Sequence, residues 1–271
     1  MIVNDRLTSY LHSLDSRESE IIEAIGREAR ADRVPIIRQE TGSLLKVLLK
    51  MNKPQRILEI GTAVAYSAIL MSECLEPGAT ITTVEKYEKR IPIARENIRR
   101  AGKEDCITLI EGDALEVMAS LEPGYDFIFM DAAKGQYIHF LPEVLRLLKK
   151  GGLLVSDNVL QDGDIIESRF AVIRRNRTIY SRMRDYSCFP NWGSLGPSSQ
   201  TWAIVAIVVV HEPGFVVVEL AAEAEGVDFG QSAVHAQHLT ERAIGVAGDP
   251  KTGGILQRGH VPAAVGHVAV I

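Results

Sequence analysis

The chain has 271 residues, of which 46% are hydrophobic and 24% charged, a composition typical of a globular protein with a substantial core. Its formal net charge of −5 excludes a protein that binds nucleic acid over its whole surface, although a local basic patch remains compatible with it. Three cysteines without metal-ligand or redox spacing argue against a disulfide framework. The N-terminus lacks the apolar core of a signal peptide, and the longest apolar run is far shorter than the ~20 residues of a membrane span. We therefore expect a cytoplasmic protein without membrane contact.

The first elements predicted along the chain are two helices. Residues 15–31 carry isoleucines at helical spacing, and Asp15 followed by Glu18 resembles a capping box. After Pro35, residues 41–51 repeat leucine at helical spacing and predict a second helix with its leucines facing inward.

Five short apolar runs follow and are predicted as strands. They cover residues 56–60, 80–84, 107–110, 127–130 and 153–156. The first four are followed by helical stretches at residues 67–74, 89–101, 114–120 and 137–149. Near-continuous apolar runs are typical of parallel strands that helices cover on both sides. The repeated βα units predict an α/β fold, a doubly wound, mostly parallel sheet with helices on both faces.

The composition changes abruptly near Tyr186. Residues 1–186 contain 27 of the 30 lysines and arginines and are interpreted as one domain. Within the rest of the chain, residues 202–210 and 215–220 predict two atypical C-terminal strands that would pair as a hairpin. We otherwise interpret residues 187–271 as a divergent tail, either the product of a shifted reading frame or poorly ordered.

The polar residues that follow the first three strands are the first candidates for a site, because ligands bind beyond the carboxyl ends of parallel strands. The first turn has Gly61 but lacks the other glycines of a dinucleotide fingerprint, which argues against NAD or FAD. Glu85, 24 positions later, stands where a carboxylate typically binds the ribose of an adenosine ligand, unless it is simply a solvated charge. Asp113 would accept a hydrogen bond from an adenine amino group, cap the next helix, or do both.

Oxygen-bearing side chains follow the fourth and fifth strands. Asp131 comes after one strand, and Asp157 and Asn158 come after the other. Neighbouring strands lie about 4.8 Å apart, so these side chains can converge on Mg²⁺ or another hard divalent cation. The alternative is that Asp157 and Asn158 only turn the chain. Lys134 would have a lowered pKa beside such a cation and act as a general base, or it would merely orient a carboxylate.

Five segments resemble the metal-dependent O-methyltransferases related to catechol and caffeoyl-CoA O-methyltransferases. They are ILEIGTAVAYSAI (57–69), TTVEKYEKR (82–90), EGDALE (111–116), FIFMDAAKGQY (127–137) and GGLLVSDNVL (151–160). The combination of the last two segments is highly specific, whereas the glycine-poor first loop alone is weak. The resemblance covers residues 1–186 and implies a Rossmann-like class I methyltransferase domain that uses S-adenosylmethionine.

The resemblance also implies roles for individual residues. The S-adenosylmethionine site would be lined by Glu59, Gly61, Ser67, Glu85, Asp113 and Ala114. Ile37 would close over the cofactor, and Asp131 would lie beside it and act in catalysis together with Lys134. The metal would be held by Asp131, Asp157 and Asn158. Ala65 departs from the family because relatives usually have glycine there, and we expect it to weaken cofactor binding somewhat.

Within the family, the closest resemblance is to the bacterial tRNA 5-hydroxyuridine methyltransferases, through the VPII segment, the DAAKGQY loop and a basic helix at residues 166–186. The helix has six arginines against two acidic residues, a local net charge of +4, unless this is only a solvated face. The arginines expected to contact tRNA are Arg169, Arg174, Arg175, Arg177 and Arg182. The implied reaction converts wobble 5-hydroxyuridine to 5-methoxyuridine. The alternatives are a small phenolic substrate of the catechol or caffeoyl-CoA type and an inactive relative that only binds cofactor. The family also suggests a homodimer.

Overall fold

The computed structural model describes residues 5–14, 17–159, 173–187, 203–209 and 216–222. The strands are β1 (Arg56–Ile60), β2 (Thr80–Glu85), β3 (Ile107–Glu111), β4 (Tyr125–Met130), β5 (Leu148–Ser156), β6 (Ala203–Val209) and β7 (Val216–Ala222). The helices are α1 (Asp5–Leu14), α2 (Glu20–Ala31), α3 (Gln39–Asn52), α4 (Tyr66–Ser72), α5 (Ile91–Arg100), α6 (Ala114–Ser120), α7 (Tyr137–Leu147) and α8 (Arg177–Ser187). None of these helices is both long and apolar enough to cross a membrane.

The described strands form one sheet in the order β3-β2-β1-β4-β5-β6-β7. Strands β1 to β6 pair in parallel, and β7 is antiparallel to β6. The order reverses at β1, because β2 and β3 lie on one side of it and β4 and β5 lie on the other. This arrangement confirms the predicted α/β class with a mostly parallel, Rossmann-like sheet.

Helices cover both faces of the sheet. Successive residues of a strand point to opposite faces, so each strand packs against both layers of helices. On β1, Ile57 packs in the cluster that contains α2, α3, α4 and α5, and Leu58 packs in the cluster that contains α6, α7 and α8. Phe127 and Ile128 of β4 divide between the clusters in the same way. All four side chains are completely buried. Burial on two faces therefore explains why the strands read as near-continuous apolar runs.

The predicted start of the helix at residues 15–31 is wrong. Helix α2 begins at Glu20, and its N-cap is Ser19, whose side chain accepts a hydrogen bond from the Ile22 N–H at 3.5 Å. The Ser19 hydroxyl also lies 2.6 Å from a carboxylate oxygen of Glu73 on the neighbouring chain segment. Asp15 lies outside the described residues. The helix start is thus selected by a cap-type serine that has a tertiary partner as well.

The single basic helix predicted at residues 166–186 also requires correction. Ile173 has φ −54° and ψ 131°, an extended conformation that no helix can pass through. A 3-10 turn at Arg174–Asn176 follows, and α8 begins only at Arg177. Residues 160–172, among them Arg169, lie outside the described part of the chain.

Two strands of the C-terminal segment join the sheet. Strand β6 pairs with β5 from Leu153 with Ala203 to Ser156 with Ala206, and β6 and β7 form the predicted antiparallel pair. The residues that join these two strands, and residues 223–271, lie outside the described part of the chain. The interpretation of residues 187–271 as a divergent tail therefore stays a prediction.

Candidate active site

A cavity of about 700 Å³ opens at the carboxyl ends of strands β1 to β5. It lies where the strand order reverses, which is the usual position of ligand sites in open α/β sheets. Its volume is ordinary for a small-molecule site. The predicted site residues that line it are Ile37, Gly61, Glu85, Asp113, Ala114, Asp131, Lys134, Asp157 and Asn158.

Gly61 lies where the first turn passes closest to the end of β4. Its φ is +107°, and a Cβ atom at this position would overlap the backbone carbonyl of Asp131. The Asp131 N–H in turn donates to the Ile60 carbonyl at 3.0 Å, which continues the strand pairing into the cavity wall. Glycine is therefore required here both by the backbone conformation and by the available space.

The rest of the first turn uses alanine where the backbone is left-handed. Ala63 has φ +48° and Ala65 has φ +65°. Ala65 is completely buried and is the N-cap of α4. A residue with a Cβ atom pays about 1 kcal/mol or more in this region. The departure at Ala65 thus has a physical cost, while its effect on cofactor binding stays a prediction.

Glu85 is fixed at the cavity wall by backbone hydrogen bonds. One carboxylate oxygen accepts from the Ala63 N–H at 2.8 Å, and the other accepts from the N–H groups of Lys86 at 3.0 Å and Tyr87 at 2.8 Å. A carboxylate has about four acceptor positions, so one remains for a ligand. The side chain is therefore held in place before any ligand arrives.

Asp113 has the capping role expected of it. Its Oδ1 accepts a hydrogen bond from the Leu115 N–H at 3.0 Å at the start of α6, which confirms the predicted cap. Its Oδ2 lies 3.3 Å from Nζ of Lys86, a cavity residue that the sequence did not single out. A ligand that hydrogen-bonds to Oδ2 would have to share it with, or displace, the Lys86 ammonium.

Glu59 and Ser67 do not line the cavity, although both were predicted to contact the cofactor. The completely buried Glu59 carboxylate accepts hydrogen bonds from the hydroxyls of Ser67 and Thr83, each at 2.5 Å. Thr62 adds a further hydrogen bond to this network, because its Oγ1 lies 2.6 Å from Oγ1 of Thr83. Burial raises the pKa of Glu59 to about 8, although both hydroxyls act in the opposite direction. The structure thus places these residues in a buried polar network that supports the first turn from behind.

Asp131, Asp157 and Asn158 lie together on the β4–β5 side of the cavity. Met130 and Ser156 are paired neighbours on these strands, and the Asp157 N–H donates to the Met130 carbonyl at 3.0 Å. Burial, followed by the charge of Asp131, raises the pKa of Asp157 to about 6, while the Lys134 ammonium lowers it. The two carboxylates are therefore close enough to affect each other, as the strand positions predict.

The donor set fits a hard divalent cation. Two mutually repelling carboxylates and an amide oxygen are the ligands that Mg²⁺ prefers, and a cation would relieve the repulsion. Asn158 is in the left-handed region at φ +50°, which asparagine tolerates better than most residues. Within the described residues, no group of three or more His, Cys, Asp or Glu could hold a metal ion. A cation here would thus depend on the Asn158 amide and on water or substrate as further ligands.

Lys134 is held between a carboxylate and a phenol. Its Nζ donates to Oδ1 of Asp131 at 2.8 Å and to the Tyr137 hydroxyl at 2.9 Å. Burial lowers the pKa of Lys134, but Tyr137, Asp131 and Asp157 raise it by a larger amount. The pKa of Lys134 therefore lies above its usual value. The predicted lowering of this pKa is therefore not produced by the protein's own groups, because the nearest charges are negative rather than positive.

Helix α8 packs against the turn that carries Lys134. The Arg182 guanidinium donates to the Gly135 carbonyl at 3.1 Å, so this arginine is partly occupied within the protein. Arg174 and Arg175 are exposed at the start of the basic segment, and Arg177 is half-buried. The structure thus brings the described part of the basic segment next to the cavity wall.

Several cavity residues were not found by the sequence analysis. They include Arg38, Lys86, Tyr87, Arg90, Gln136 and Phe140. Arg38 and Lys86 adjoin Ile37 and Glu85 in the chain, and Tyr87 and Gln136 each lie two positions from a predicted residue, so proximity in sequence was an available signal for these four. Phe140 gave a weaker signal, because it lies one helical turn beyond Gln136 within α7.

A family model described as O-methyltransferase matches residues 12–184, more than half of the chain. The catechol O-methyltransferase of Niastella koreensis is 35% identical over 130 residues, which cover 46% of this chain and 59% of the relative. The alignment thus spans less than two thirds of that relative's length.

Solved structures show the same architecture. A protein from Staphylococcus aureus described as a caffeoyl-CoA O-methyltransferase superposes with a TM-score of 0.64 and 33% identity, over 69% of this chain and 90% of that chain. An O-methyltransferase from Bacillus cereus in complex with SAH superposes with a TM-score of 0.61 and 25% identity, over 75% and 91% of the two chains. On the family match and this agreement of fold, the chain belongs to the O-methyltransferase family.

Proposed function

We propose that this chain transfers a methyl group from S-adenosylmethionine to a substrate oxygen, with Mg²⁺ or another hard divalent cation at Asp131, Asp157 and Asn158. The observation that carries the proposal is that one cavity joins this oxygen-rich set to Glu85 and Asp113. Family membership supports the reaction class. The SAH in the Bacillus cereus relative, the product that S-adenosylmethionine leaves, supports the cofactor.

The cofactor would lie along the carboxyl ends of β1, β2 and β3. Glu85 would accept a hydrogen bond from one ribose hydroxyl at its remaining acceptor position, and Asp113 would accept one from the adenine amino group. Gly61 lets the turn approach Asp131 closely, and the buried Ile37 would close the cavity over the cofactor. Glu59 and Ser67 would act indirectly, by holding the first turn in place.

Wobble 5-hydroxyuridine in tRNA is the proposed substrate. Its 5-hydroxyl and 4-carbonyl form a pair of adjacent oxygens suited to chelation by a divalent cation. The exposed Arg174 and Arg175 supply positive charge for phosphates, in the segment that packs beside the Lys134 turn. Arg177 and Arg182 would add to this charge. Arg169, which belongs to the same proposal, lies outside the described residues.

The proposed reaction uses the protein's groups to place and deprotonate one hydroxyl. A divalent cation, when bound, would supply Lewis-acid stabilisation of the deprotonated oxygen. The pKa of Lys134 would be lowered beside a bound cation, so that Nζ gives up its own proton to solvent before the substrate binds. The neutral Nζ would then take the substrate proton, and Asp131 would hold the resulting ammonium through the contact it already makes. The substrate oxygen then forms its bond to the methyl carbon as the carbon–sulfur bond breaks, with proximity supplying much of the rate.

Small phenols are the second candidate substrates. The Niastella koreensis relative is a catechol O-methyltransferase, and catechol offers the same pair of adjacent oxygens. The residues proposed for catalysis are the same in both cases. An inactive relative that only binds cofactor is the third alternative, and the absence of any methylated product would favour it.

A homodimer and a cytoplasmic location remain predictions. Gel filtration with light scattering would measure the oligomeric state directly.

The test is methyl transfer by the purified protein to tRNA that carries 5-hydroxyuridine, with S-adenosylmethionine and Mg²⁺. Mass spectrometry of the digested nucleosides should show 5-methoxyuridine, and EDTA should abolish it. Catechol is assayed in parallel. Product from catechol but none from tRNA would show that the substrate is a small phenol rather than tRNA. Unchanged activity in excess EDTA would refute the role of the metal.

Charge reversal separates the two substrates. Exchange of Arg174, Arg175 and Arg177 for glutamate should reduce tRNA methylation at least ~100-fold, because several phosphate contacts become repulsive. Catechol methylation should change less than about twofold, because a neutral substrate makes no use of the patch. The matched control reverses three cations that do not line the cavity, Arg27, Lys50 and Lys150. Equal losses in both triple variants would contradict a specific tRNA surface.

A further inference from the structure

Arg38 is a cation in the cavity wall that has no hydrogen-bond or ion-pair partner among the described residues. Its side chain is half-buried and lines the cavity. The other cations of the wall each contact a neighbour: Lys86 contacts Asp113, Lys134 contacts Asp131, and Arg90 lies over the Tyr87 ring. Among the described residues, none forms a hydrogen bond or ion pair with the Arg38 guanidinium. Arg38 therefore has both its charge and its hydrogen-bond donors available to a ligand.

The position of Arg38 relates it to the substrate rather than to the adenosine end. Arg38 is the N-cap of α3, and Thr41 lies three residues further along that helix. Residues three apart on a helix have Cβ atoms about 5–6 Å apart. The Thr41 hydroxyl lies 3.5 Å from Oδ1 of Asp157, one of the proposed metal ligands. The arginine thus lies within reach of the region where the reacting hydroxyl would be held.

The electrostatics of this region favour an anion. The N-terminus of the 14-residue helix α3 carries a partial positive charge that adds to that of the guanidinium. The nearest acidic residue in the first turn, Glu40, has its carboxylate 2.7 Å from Nε2 of His12. Arginine is also the side chain whose planar fork best matches carboxylate and phosphate oxygens.

We infer that Arg38 determines specificity by binding an oxyanion group of the substrate, a carboxylate or a phosphate, beside the reacting hydroxyl. The inference rests on the proposed function and deepens it. In a phenolic substrate the oxyanion is a ring carboxylate, and in tRNA it is a phosphate that flanks the methylated nucleoside. Arg38 is a binding and positioning residue, because it takes no part in bond making.

Two substrate pairs that differ only in the anionic group test this inference. The first pair is 3,4-dihydroxybenzoate and 3,4-dihydroxybenzamide, and the second is 5-hydroxyuridine 3′-phosphate and 5-hydroxyuridine. Binding is measured by calorimetry on the full chain saturated with SAH and Mg²⁺, and turnover is measured with S-adenosylmethionine. The wild type should bind each anion at least ~10-fold more tightly than its neutral partner. An anion preference in the benzoate pair alone identifies the oxyanion as a ring carboxylate, and a preference in the nucleoside pair alone identifies it as a phosphate.

The Arg38→Gln variant should reduce this preference to within about twofold while the Kd for the neutral compounds and for SAH stays unchanged. Arg38→Lys should retain part of the preference, because it keeps the charge but loses the fork. Arg33→Gln is the matched control, because Arg33 is exposed and does not line the cavity.

The outcomes separate this inference from the proposed function. An anion preference that survives in Arg38→Gln overturns the inference, as does equal weakening of the charged and neutral compounds, which would indicate a structural role. A preference that is lost in the variant, together with wild-type protein that binds but never methylates any compound, supports the inference and refutes the proposed function.

Discussion

The Lys134 ammonium lies 2.8 Å from Oδ1 of Asp131, three residues away at the carboxyl end of β4. The pair lies within the cavity wall, with 16% of the Lys134 side chain and 28% of the Asp131 side chain exposed. The Tyr137 hydroxyl holds the same ammonium and donates to the Met130 carbonyl at 2.8 Å. A cation, a carboxylate and a phenol are thus fixed to the end of one strand, where the proposed chemistry needs a proton acceptor.

Replacement of Lys134 distinguishes a base from a counter-ion. Lys134→Met should lower kcat at least ~100-fold, because general-base catalysis typically contributes that much. Lys134→Arg should be equally impaired, because a guanidinium keeps the charge but does not give up its proton at physiological pH. Single-turnover methyl transfer measures both variants, and calorimetry with SAH controls for cofactor binding. Near-wild-type turnover in the arginine variant would show that only the charge of Lys134 matters.

Gly61→Ala should disrupt the cavity. The new Cβ atom would overlap the Asp131 carbonyl and force a residue with a side chain to φ +107°. We expect the free energy of unfolding to fall by at least ~2 kcal/mol and the affinity for S-adenosylmethionine to fall at least ~10-fold. Urea denaturation and calorimetry measure the two effects.

The control for this variant is Gly78→Ala. Gly78 also has a positive φ of +86°, but a Cβ atom there would meet nothing within 4 Å. This control therefore carries the backbone strain without the overlap, and its cofactor affinity should stay within about twofold of wild type. Similar cofactor affinities in the two variants would show that the overlap with Asp131 is unimportant.

Glu59 predicts a specific pH dependence of stability. Its pKa is raised from 4.5 to about 8 in the folded protein. As the pH rises, the folded state therefore keeps a proton that the unfolded chain has already released at lower pH. The stability from the neutral carboxyl is complete below the unfolded pKa and is lost as the pH rises through the folded pKa. At about 1.4 kcal/mol per pKa unit, the loss is on the order of 5 kcal/mol across this window.

Glu59→Gln should remove this slope, because an amide stays neutral at every pH. Urea denaturation at pH 5, 6, 7 and 8 should show the variant gaining stability relative to wild type as the pH rises. Glu122→Gln, at an exposed glutamate, is the control and should run parallel to wild type. Parallel curves for the Glu59 variant and wild type would mean that Glu59 ionises normally despite its burial.

The fold class could be predicted from the sequence because each buried strand is apolar on both faces. The ends of helices could not, because they depend on tertiary contacts. Asp15, Ser16 and Ser19 are all good capping residues, and local pattern does not rank them. Ser19 has a partner in Glu73, which is far away in sequence. Ile173 has extended dihedral angles although no glycine or proline marks this position, so the local sequence did not exclude a helix through it.

The site was predictable where function follows from position at a strand end. Asp131 and Asp157 follow neighbouring strands, and parallel pairing alone brings them to one edge. Glu59 and Ser67 match the family pattern equally well, but their side chains turn to each other beneath the first turn. Arg38 was missed because nothing in its local sequence shows that it lines the cavity without a partner among the described residues.

The central claim is that Asp131, Asp157 and Asn158 hold a divalent cation, and Mn²⁺ titration followed by electron paramagnetic resonance tests it without requiring turnover. The wild type saturated with SAH should bind one Mn²⁺ per chain. Asp131→Ala, Asp157→Asn and Asn158→Ala should each weaken binding at least ~10-fold, whereas Asp105→Asn, at an exposed carboxylate, should not. Wild-type protein that binds no Mn²⁺, or three site variants that bind it as tightly as wild type, would contradict the account.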